Sequence, residues 1–281
     1  MMVLLSAVML FTQCKKETPV EKTTITGQIT NSQTGLGLAN AKLSFCKPFT
    51  LALKSTEAST PEVVFSVTTN YLGQYSTSDA IVGTYTLMIE ATNFFSFYVE
   101  NFVVASGLST TIPPITIVQT LSNSLLRIVL TWAETPYDLD SHLTGPVAGS
   151  LTRFHVYFSD DIYNPANAVT PTVKLDVDDT SSYGPETTTI NAWTAGIYRY
   201  SVFNYSDQSI LGGAGIKNSP AVVKVYGPAG LLKTYSPPTV LTSGGNTWIV
   251  FEITVAANGT YTITDKNTYS FSVASGSVAK K

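Results

Sequence analysis

The sequence is poor in charge and in histidine, and it shows no extended basic region. Only 12% of its 281 residues are charged, and the chain contains just two histidines. Two histidines are too few for a three-histidine zinc site. The formal net charge is −3, with no basic stripe. The composition therefore lacks the electrostatic footprint of a nucleic-acid-binding protein, and we expect no nucleic-acid partner.

Long amphipathic-helix patterns are also absent. Apolar residues alternate instead in short runs that are bounded by glycine, proline, asparagine or serine. This rhythm is typical of all-β proteins, and the length suits two domains better than one. We therefore predict an all-β protein with two β-sandwich domains, the second an antiparallel sandwich or a jelly-roll-like domain.

The N-terminal segment has the pattern of an export signal. The run "MVLLSAVMLF" is apolar but too short to span a bilayer, and it ends at "FTQC" before the charged "KKE". This arrangement resembles a bacterial lipoprotein signal, which implies lipidation of Cys14 and anchoring to the cell envelope, with the outer membrane preferred over the inner and the membrane face left open. Residues 1–14 would be the signal segment and residues 15–23 a polar tether. Cys46 would then have no disulfide partner and is interpreted as a small strand residue.

The first domain is predicted over residues 24–118. Its elements are "ITGQIT", "GLGLANAKLSF", "TTNYLGQY" and "GTYTLMI", separated by turn residues. Alternation places Tyr85, Leu87 and Ile89 on one face of a strand. The order of these elements resembles the carboxypeptidase regulatory-like domain, a transthyretin-like β-sandwich. The resemblance implies a spacer or interaction module without catalysis of its own.

The second domain is predicted over residues 125–266, followed by a disordered tail at residues 267–281. Alternation in its first strand-like run, "LLRIVLTW", places Leu126, Ile128, Leu130 and Trp132 on one face of the strand. Four blocks, "LRIVLTWAETPYDLDSHLTGP", "FHVYFS", "LDVDDTSSYGPET" and "GIYRYSVFNYS", resemble the YfaP-like domain of unknown function found in exported bacterial proteins. That resemblance implies an exported location, but the family has no assigned activity from which a function could be inferred.

Two short acidic motifs stand out in this domain. "YDLDSHL" and "LDVDDTSSYGPE" together hold six acidic side chains, although the whole chain has only 19. One pair of like charges about 4 Å apart costs on the order of 4 kcal/mol at an effective dielectric of 20. A bound cation would remove that cost, and Ca²⁺ binds carboxylate and carbonyl oxygens. The candidate ligands are Asp138, Asp140, Asp176, Asp178 and Glu186.

Alternation places Asp138, Asp140 and His142 on one side of a strand, and Asp176 and Asp178 on one side of another. Asp179 is expected to turn away. His142 lies near the candidate site, although imidazole suits Zn²⁺ or Mn²⁺ better than Ca²⁺. The alternative is structural, because aspartates beside turns bond their own backbone and His142 then only hydrogen-bonds a carbonyl.

The sequence predicts no catalytic activity. It contains no GxSxG, HExxH or GxxxxGK motif and no recognisable Cys–His arrangement. The chain is thus expected to be an interaction or scaffold module with a protein or glycan partner. A less favoured alternative is a carboxylate-dependent hydrolase that pairs Asp140 with Asp178 and uses His142 as a base.

Aromatic side chains support a second binding hypothesis. Trp132, Trp193, Tyr198 and Tyr200 are candidates for stacking on sugar rings in a glycan-binding or adhesion module. This hypothesis requires that they be exposed near the acidic motifs. Alternation, which places Trp132 on the same face as Leu130, predicts the opposite for Trp132.

Overall fold

The computed structural model describes residues 19–49, 61–107, 109–206, 214–239 and 245–270. These residues form strands almost throughout, as the alternating apolar pattern predicts. The strands belong to two sandwiches that use separate segments of the chain, and no buried residue is shared between their two large cores. The all-β prediction is confirmed.

The first sandwich pairs a sheet centred on β1 with an antiparallel sheet of order β3-β2-β5-β6. In the first sheet, β4 is antiparallel to β1, while β7 and β8 run parallel to β1 on its other edge. Tyr85, Leu87 and Ile89 all point into the core between the sheets, as predicted. The strands are β1 (Lys22–Asn31), β2 (Lys42–Cys46), β3 (Val63–Thr68), β4 (Gln74–Ile81), β5 (Gly83–Glu90), β6 (Phe97–Val104), β7 (Thr110–Thr111) and β8 (Ile115–Ile117).

The second sandwich packs a sheet of order β11-β10-β15-β18-β19 against a sheet of order β12-β13-β14-β9-β16-β17. All strand pairs in both sheets are antiparallel. Its elements are β9 (Leu126–Thr131), β10 (Leu139–Pro146), β11 (Arg153–Val156), β12 (Ile162–Tyr163), β13 (Val173–Val177), β14 (Glu186–Ile190), β15 (Gly196–Asn204), α1 (Ala214–Asn218), β16 (Val222–Gly227), β17 (Gly230–Tyr235), β18 (Thr247–Val255) and β19 (Tyr261–Ser270).

The core of the second sandwich contains the predicted apolar face of β9. Leu126, Ile128 and Leu130 are fully buried there, and Trp132 continues the same face. Their partners across the core include Trp248, from β18 of the opposite sheet. Each buried side chain on this face contributes about 1.5–3 kcal/mol to the free energy of unfolding, so the face is a main source of the domain's stability.

Aromatic contacts join the two sandwiches. Phe95 stacks on Tyr226 with ring centroids 5.6 Å apart, and the ammonium of Lys224 lies 4.3 Å from the ring centroid of Phe97. Val118 and Leu121 of the linker pack in the same small apolar cluster as Tyr226. These contacts tie the six-stranded sheet of the second sandwich to the first sandwich.

The structure corrects two predicted boundaries. Strand β19 continues to Ser270, so residues 267–270 belong to a sheet rather than to a disordered tail. Pairing with β18 extends the strand, because Trp248 lies opposite Tyr269 and its indole N–H donates to Asn267 at 2.8 Å. The predicted tether also ends earlier than expected, since β1 begins at Lys22.

Other N- and C-terminal predictions lie outside the described residues. These are the signal segment, the lipidated Cys14 and the remaining tail. Cys46 is fully buried in β2, in agreement with its interpretation as a small strand residue. The described residues contain no helix with the length and apolar character needed to cross a bilayer.

Candidate metal centre

Two loops at one end of the second sandwich hold the acidic residues in place. The amide of Trp132 donates to the carbonyl of Tyr183 at 3.2 Å, and the amide of Tyr183 donates to the carbonyl of Ala133 at 3.0 Å. Gly184 follows with a φ of +75°, and a Cβ there would lie 2.7 Å from the ring of Trp132. Glycine is required by both features, and this tight turn delivers Glu186 to the start of β14.

Three carboxylates from three separate strands or loops meet at this end. Ligand oxygens of Asp140, Asp178 and Glu186 all lie within 4.8 Å of one another. Glu186 pairs in register with Leu130, whose side chain is in the core, so the glutamate also points between the two sheets. One of its oxygens accepts the backbone N–H of Ser141 in β10. Glu186 thereby connects the two sheets of the sandwich.

The centre is deeply buried and its charges are uncompensated. Glu186 is 0% exposed and Asp140 is 2% exposed, whereas Asp178 is open to solvent. One oxygen each of Asp138, Asp140 and Glu186 is buried without a hydrogen-bond partner among the described residues. The ion pairs within the described ranges all involve other acids. A buried carboxylate without a partner is costly, so a proton, a cation or a bound water must satisfy each of these oxygens.

The pKa values reflect this crowding. Burial, followed by the charges of Asp138 and Asp178, raises the pKa of Asp140 to about 7. Burial, followed by Asp178 and Asp179, raises the pKa of Asp138 to about 6. Burial raises the pKa of Glu186 well above its ordinary value, and Asp140 adds to that effect. Without a cation, the cluster therefore keeps protons at neutral pH.

The donor set is made of oxygen alone. Three converging carboxylates, with Asp138 adjacent, match the hard oxygen ligands that Ca²⁺ prefers, and Ca²⁺ takes six to eight of them at 2.3–2.6 Å. The solvent-exposed position of Asp178 leaves room for water to complete the shell. Ser206, which the sequence pattern did not indicate, positions Asp138: its hydroxyl accepts the amide of Asp138 at 2.6 Å.

Asp176 does not join the cluster, and its inclusion among the candidate ligands is wrong. One of its oxygens accepts the hydroxyl of Thr189, and Lys174 lies 3.9 Å from the other. The register of β13 against β14 shifts between Leu175 and Val177. This irregularity breaks the strict alternation that predicted Asp176 and Asp178 on one face.

Asp179 turns away from the centre, as expected. Its carboxylate accepts the amide of Ser181 at 2.8 Å and the hydroxyl of the same residue at 2.7 Å. This is an Asx-type turn, so the structural interpretation of the acidic motifs holds for Asp179. Its charge still adds to the raised pKa of Asp138.

His142 hydrogen-bonds the second histidine, His155, rather than a carboxylate of the acidic cluster. Its Nδ1 lies 2.8 Å from Nε2 of His155, and its side chain is 3% exposed. Burial, followed by the charge of His155, lowers the pKa of His142 to about 3. His142 is therefore neutral at physiological pH, and it hydrogen-bonds an imidazole rather than the carbonyl that the structural alternative expected.

The aromatic residues proposed for sugar stacking are mostly buried. Tyr198 and Tyr200 are 1% and 0% exposed, and Trp132 packs in the core. Trp193 is partly buried against this core and contacts Tyr261, with ring centroids 4.8 Å apart. A sugar cannot reach Trp132, Tyr198 or Tyr200, so the prediction of these residues as a glycan site is wrong.

No known family profile matches the chain, and no curated protein matches it. Among solved structures, a homologue of the telluride resistance protein TerD from Streptomyces coelicolor matches 54% of this chain and 94% of its own, with 16% identity and a TM-score of 0.40. A proposed carbohydrate-binding protein from Bacteroides uniformis matches 65% of this chain and 89% of its own, with 15% identity and a TM-score of 0.25.

A type II cohesin–X-dockerin complex from Acetivibrio cellulolyticus contains a chain that matches 34% of this one and 56% of its own, with 20% identity and a TM-score of 0.24. At these identities and TM-scores the similarities assign neither a family nor a ligand.

Proposed function

We propose that the chain is a non-catalytic binding or scaffold module whose second sandwich is stabilised by a divalent cation, with Ca²⁺ preferred. The observation that carries the proposal is the convergence of Asp140, Asp178 and Glu186 within 4.8 Å, with buried oxygens that lack partners. A cation there would replace the protons that the buried carboxylates otherwise hold. Because Glu186 contacts β10 from the opposite sheet, such a cation would also hold the two sheets together at this end.

Thermal melting with metals tests this proposal. The chain is melted in EDTA and then in graded Ca²⁺, Mg²⁺ and Zn²⁺. A cation that binds the native state raises its stability by about 2.7 kcal/mol at a hundredfold excess over Kd. We expect a saturable rise with Ca²⁺ that is lost in Asp140→Asn and kept in Asp161→Asn, an exposed aspartate of the same domain. Equal melting with and without every metal contradicts the proposal.

The burial of the carboxylates supports a role without catalysis. In the hydrolase alternative Asp140 pairs with Asp178, and although Asp178 is exposed, Asp140 is closed to solvent and so is poorly placed to contact a glycosidic oxygen. His142 is also buried and bonded to His155, which leaves it unsuited to accept a substrate proton. Turnover of any member of a glycan and peptide panel that disappears in Asp140→Asn would overturn this part of the proposal.

The proposed location is the bacterial envelope, with a lipid anchor at Cys14. It rests on the sequence pattern "MVLLSAVMLF" followed by "FTQC". Lipidation shifts the mass of the mature N-terminus and partitions the chain into the detergent phase. We expect both effects in the wild type and neither in Cys14→Ser, and a wild-type chain that stays in the aqueous phase contradicts the anchor.

A further inference from the structure

A group of aromatic rings lies on the outer face of the five-stranded sheet, since Phe154 and Val156 of β11 point into the core and His155 between them points outward. Tyr157 stacks on His155 with centroids 4.3 Å apart, and its ring meets that of Phe158 at 5.1 Å. Phe158 in turn contacts Tyr205 edge-to-face at 5.6 Å. We call Tyr157, Phe158 and Tyr205 the aromatic platform.

Two of the three platform rings are open to solvent, unlike the buried Trp132, Tyr198 and Tyr200. Phe158 is 43% exposed and Tyr205 is 40% exposed. Exposed large aromatic side chains that contact each other indicate a binding surface more strongly than single exposed residues do. Tyr157 beneath them also stacks on the buried His142, with centroids 5.4 Å apart, which anchors the platform to the sheet.

Backbone bonds place the platform next to the acidic cluster. Tyr205 directly precedes Ser206, whose hydroxyl accepts the amide of Asp138 and whose amide donates to the carbonyl of Asp138 at 3.3 Å. Phe203, two residues before Tyr205, pairs in register with Asp140. Tyr205 and Asp140 therefore lie at the same end of the paired strands β10 and β15. Phe158, which contacts Tyr205, follows β11. Asp178 and Glu186 meet Asp140 from the other sheet, at the end of β13 and the start of β14.

We propose that the aromatic platform and the cation held by Asp140, Asp178 and Glu186 form one binding site for a neutral saccharide with vicinal hydroxyls. This inference rests on the proposed cation site. Sugar rings present an apolar C–H face that packs on aromatic side chains. Their hydroxyl oxygens are ligands of the kind that Ca²⁺ accepts, and the cation would be reachable from solvent on the side of Asp178.

The chemistry of the surface favours this ligand over a charged one. Three ionised carboxylates around one divalent cation leave the site with a net negative charge, which disfavours anions. No arginine or lysine in the described ranges forms an ion pair with the cluster. A neutral polyhydroxylated ligand contributes oxygen atoms to the cation without adding charge. The platform supplies the stacking surface that fixes its orientation.

The test uses the full chain and three probes, the methyl glycosides of mannose, galactose and glucose, titrated by calorimetry in Ca²⁺ and in EDTA. We expect binding of at least one probe in Ca²⁺ and none in EDTA. Phe158→Ala and Tyr205→Ala should each weaken binding about tenfold, the loss of roughly one stacked ring. Tyr71→Ala, which removes an exposed aromatic from the first sandwich, should leave binding unchanged.

Thermal shifts recorded on the same samples separate this inference from the cation proposal. Phe158→Ala and Tyr205→Ala should keep the full rise in melting temperature with Ca²⁺, because neither ring is a cation ligand. A wild-type chain that shows this rise but binds none of the probes overturns the saccharide site and leaves the cation site standing. Binding that persists in EDTA, or that is unaffected by both platform variants, overturns the joint site.

Discussion

Replacing Asp140 by asparagine in metal-free protein should stabilise the second sandwich, and the gain should depend on pH. Asp140 has a pKa raised from 3.8 to about 7 by burial and by neighbouring carboxylates. Between these two values the folded state binds more protons than the unfolded state. The stability is therefore highest, as far as this group is concerned, below about pH 4. It falls as pH rises toward 7, because ionising Asp140 costs more in the folded chain.

The pKa values set the size of the effect. A pKa difference of about three corresponds to about 4 kcal/mol at 1.36 kcal/mol for each pKa unit. The asparagine side chain carries no charge at any pH, so the variant avoids this cost. In EDTA we expect equal stability near pH 4 and a gap that grows to about 4 kcal/mol in favour of Asp140→Asn above pH 7.

Urea unfolding followed by tryptophan fluorescence measures this gap, because all three tryptophans lie in the second sandwich. The comparison between variants also cancels the contribution of His142. The pKa of His142 is lowered to about 3, which makes stability rise with pH between about 3 and 6.5 in both proteins. A gap that does not change with pH, or an Asp140→Asn variant that is less stable than wild type throughout, would refute the reasoning.

Three further results are expected. Gly184→Ala should cost more stability than Gly149→Ala, because both glycines have a positive φ but only a Cβ at 184 meets another side chain. Gly184→Ala should also weaken Ca²⁺ binding, since this turn places Glu186, and urea titrations of both variants with and without Ca²⁺ measure the two effects. Lys224→Met should lower the free energy of unfolding by about 0.5–1 kcal/mol through loss of the contact with Phe97, whereas Lys224→Arg should retain it in the same assay. Cys46 should resist alkylation in the native protein and react on unfolding, as seen by peptide mapping, and rapid native labelling would contradict its full burial.

Local pattern was sufficient to predict much of the fold. Alternation correctly placed Leu126, Ile128 and Leu130 toward the core, because a strand turns every second side chain to the same face of its sheet. The same rule correctly separated Leu139, which is in the core, from Asp140. Periodicity could not predict that β19 would continue to Ser270, since that extension depends on pairing with β18.

The candidate site was only partly predictable. Asp140, Asp178 and Glu186 were among the expected ligands, but the register shift beside Asp176 depends on how β13 meets β14 and leaves no local signal. Tyr198 and Tyr200 share one face of the strand with Val202, and this apolar face should have indicated burial rather than sugar contact. The platform residue Tyr205 falls on the face opposite to that of Tyr198 and Tyr200. It lies near Asp138 and Asp140 only because β15 pairs with β10, a long-range contact that the local sequence does not reveal.

The most direct test of the central claim is a crystal structure of the chain grown with Ca²⁺ and, separately, with a lanthanide that gives strong anomalous scattering. The account predicts an anomalous peak within about 2.3–2.6 Å of carboxylate oxygens of Asp140, Asp178 and Glu186, with water completing the shell. The account is contradicted if no peak appears at this position at saturating cation and the three carboxylates are instead hydrogen-bonded to one another as protonated acids.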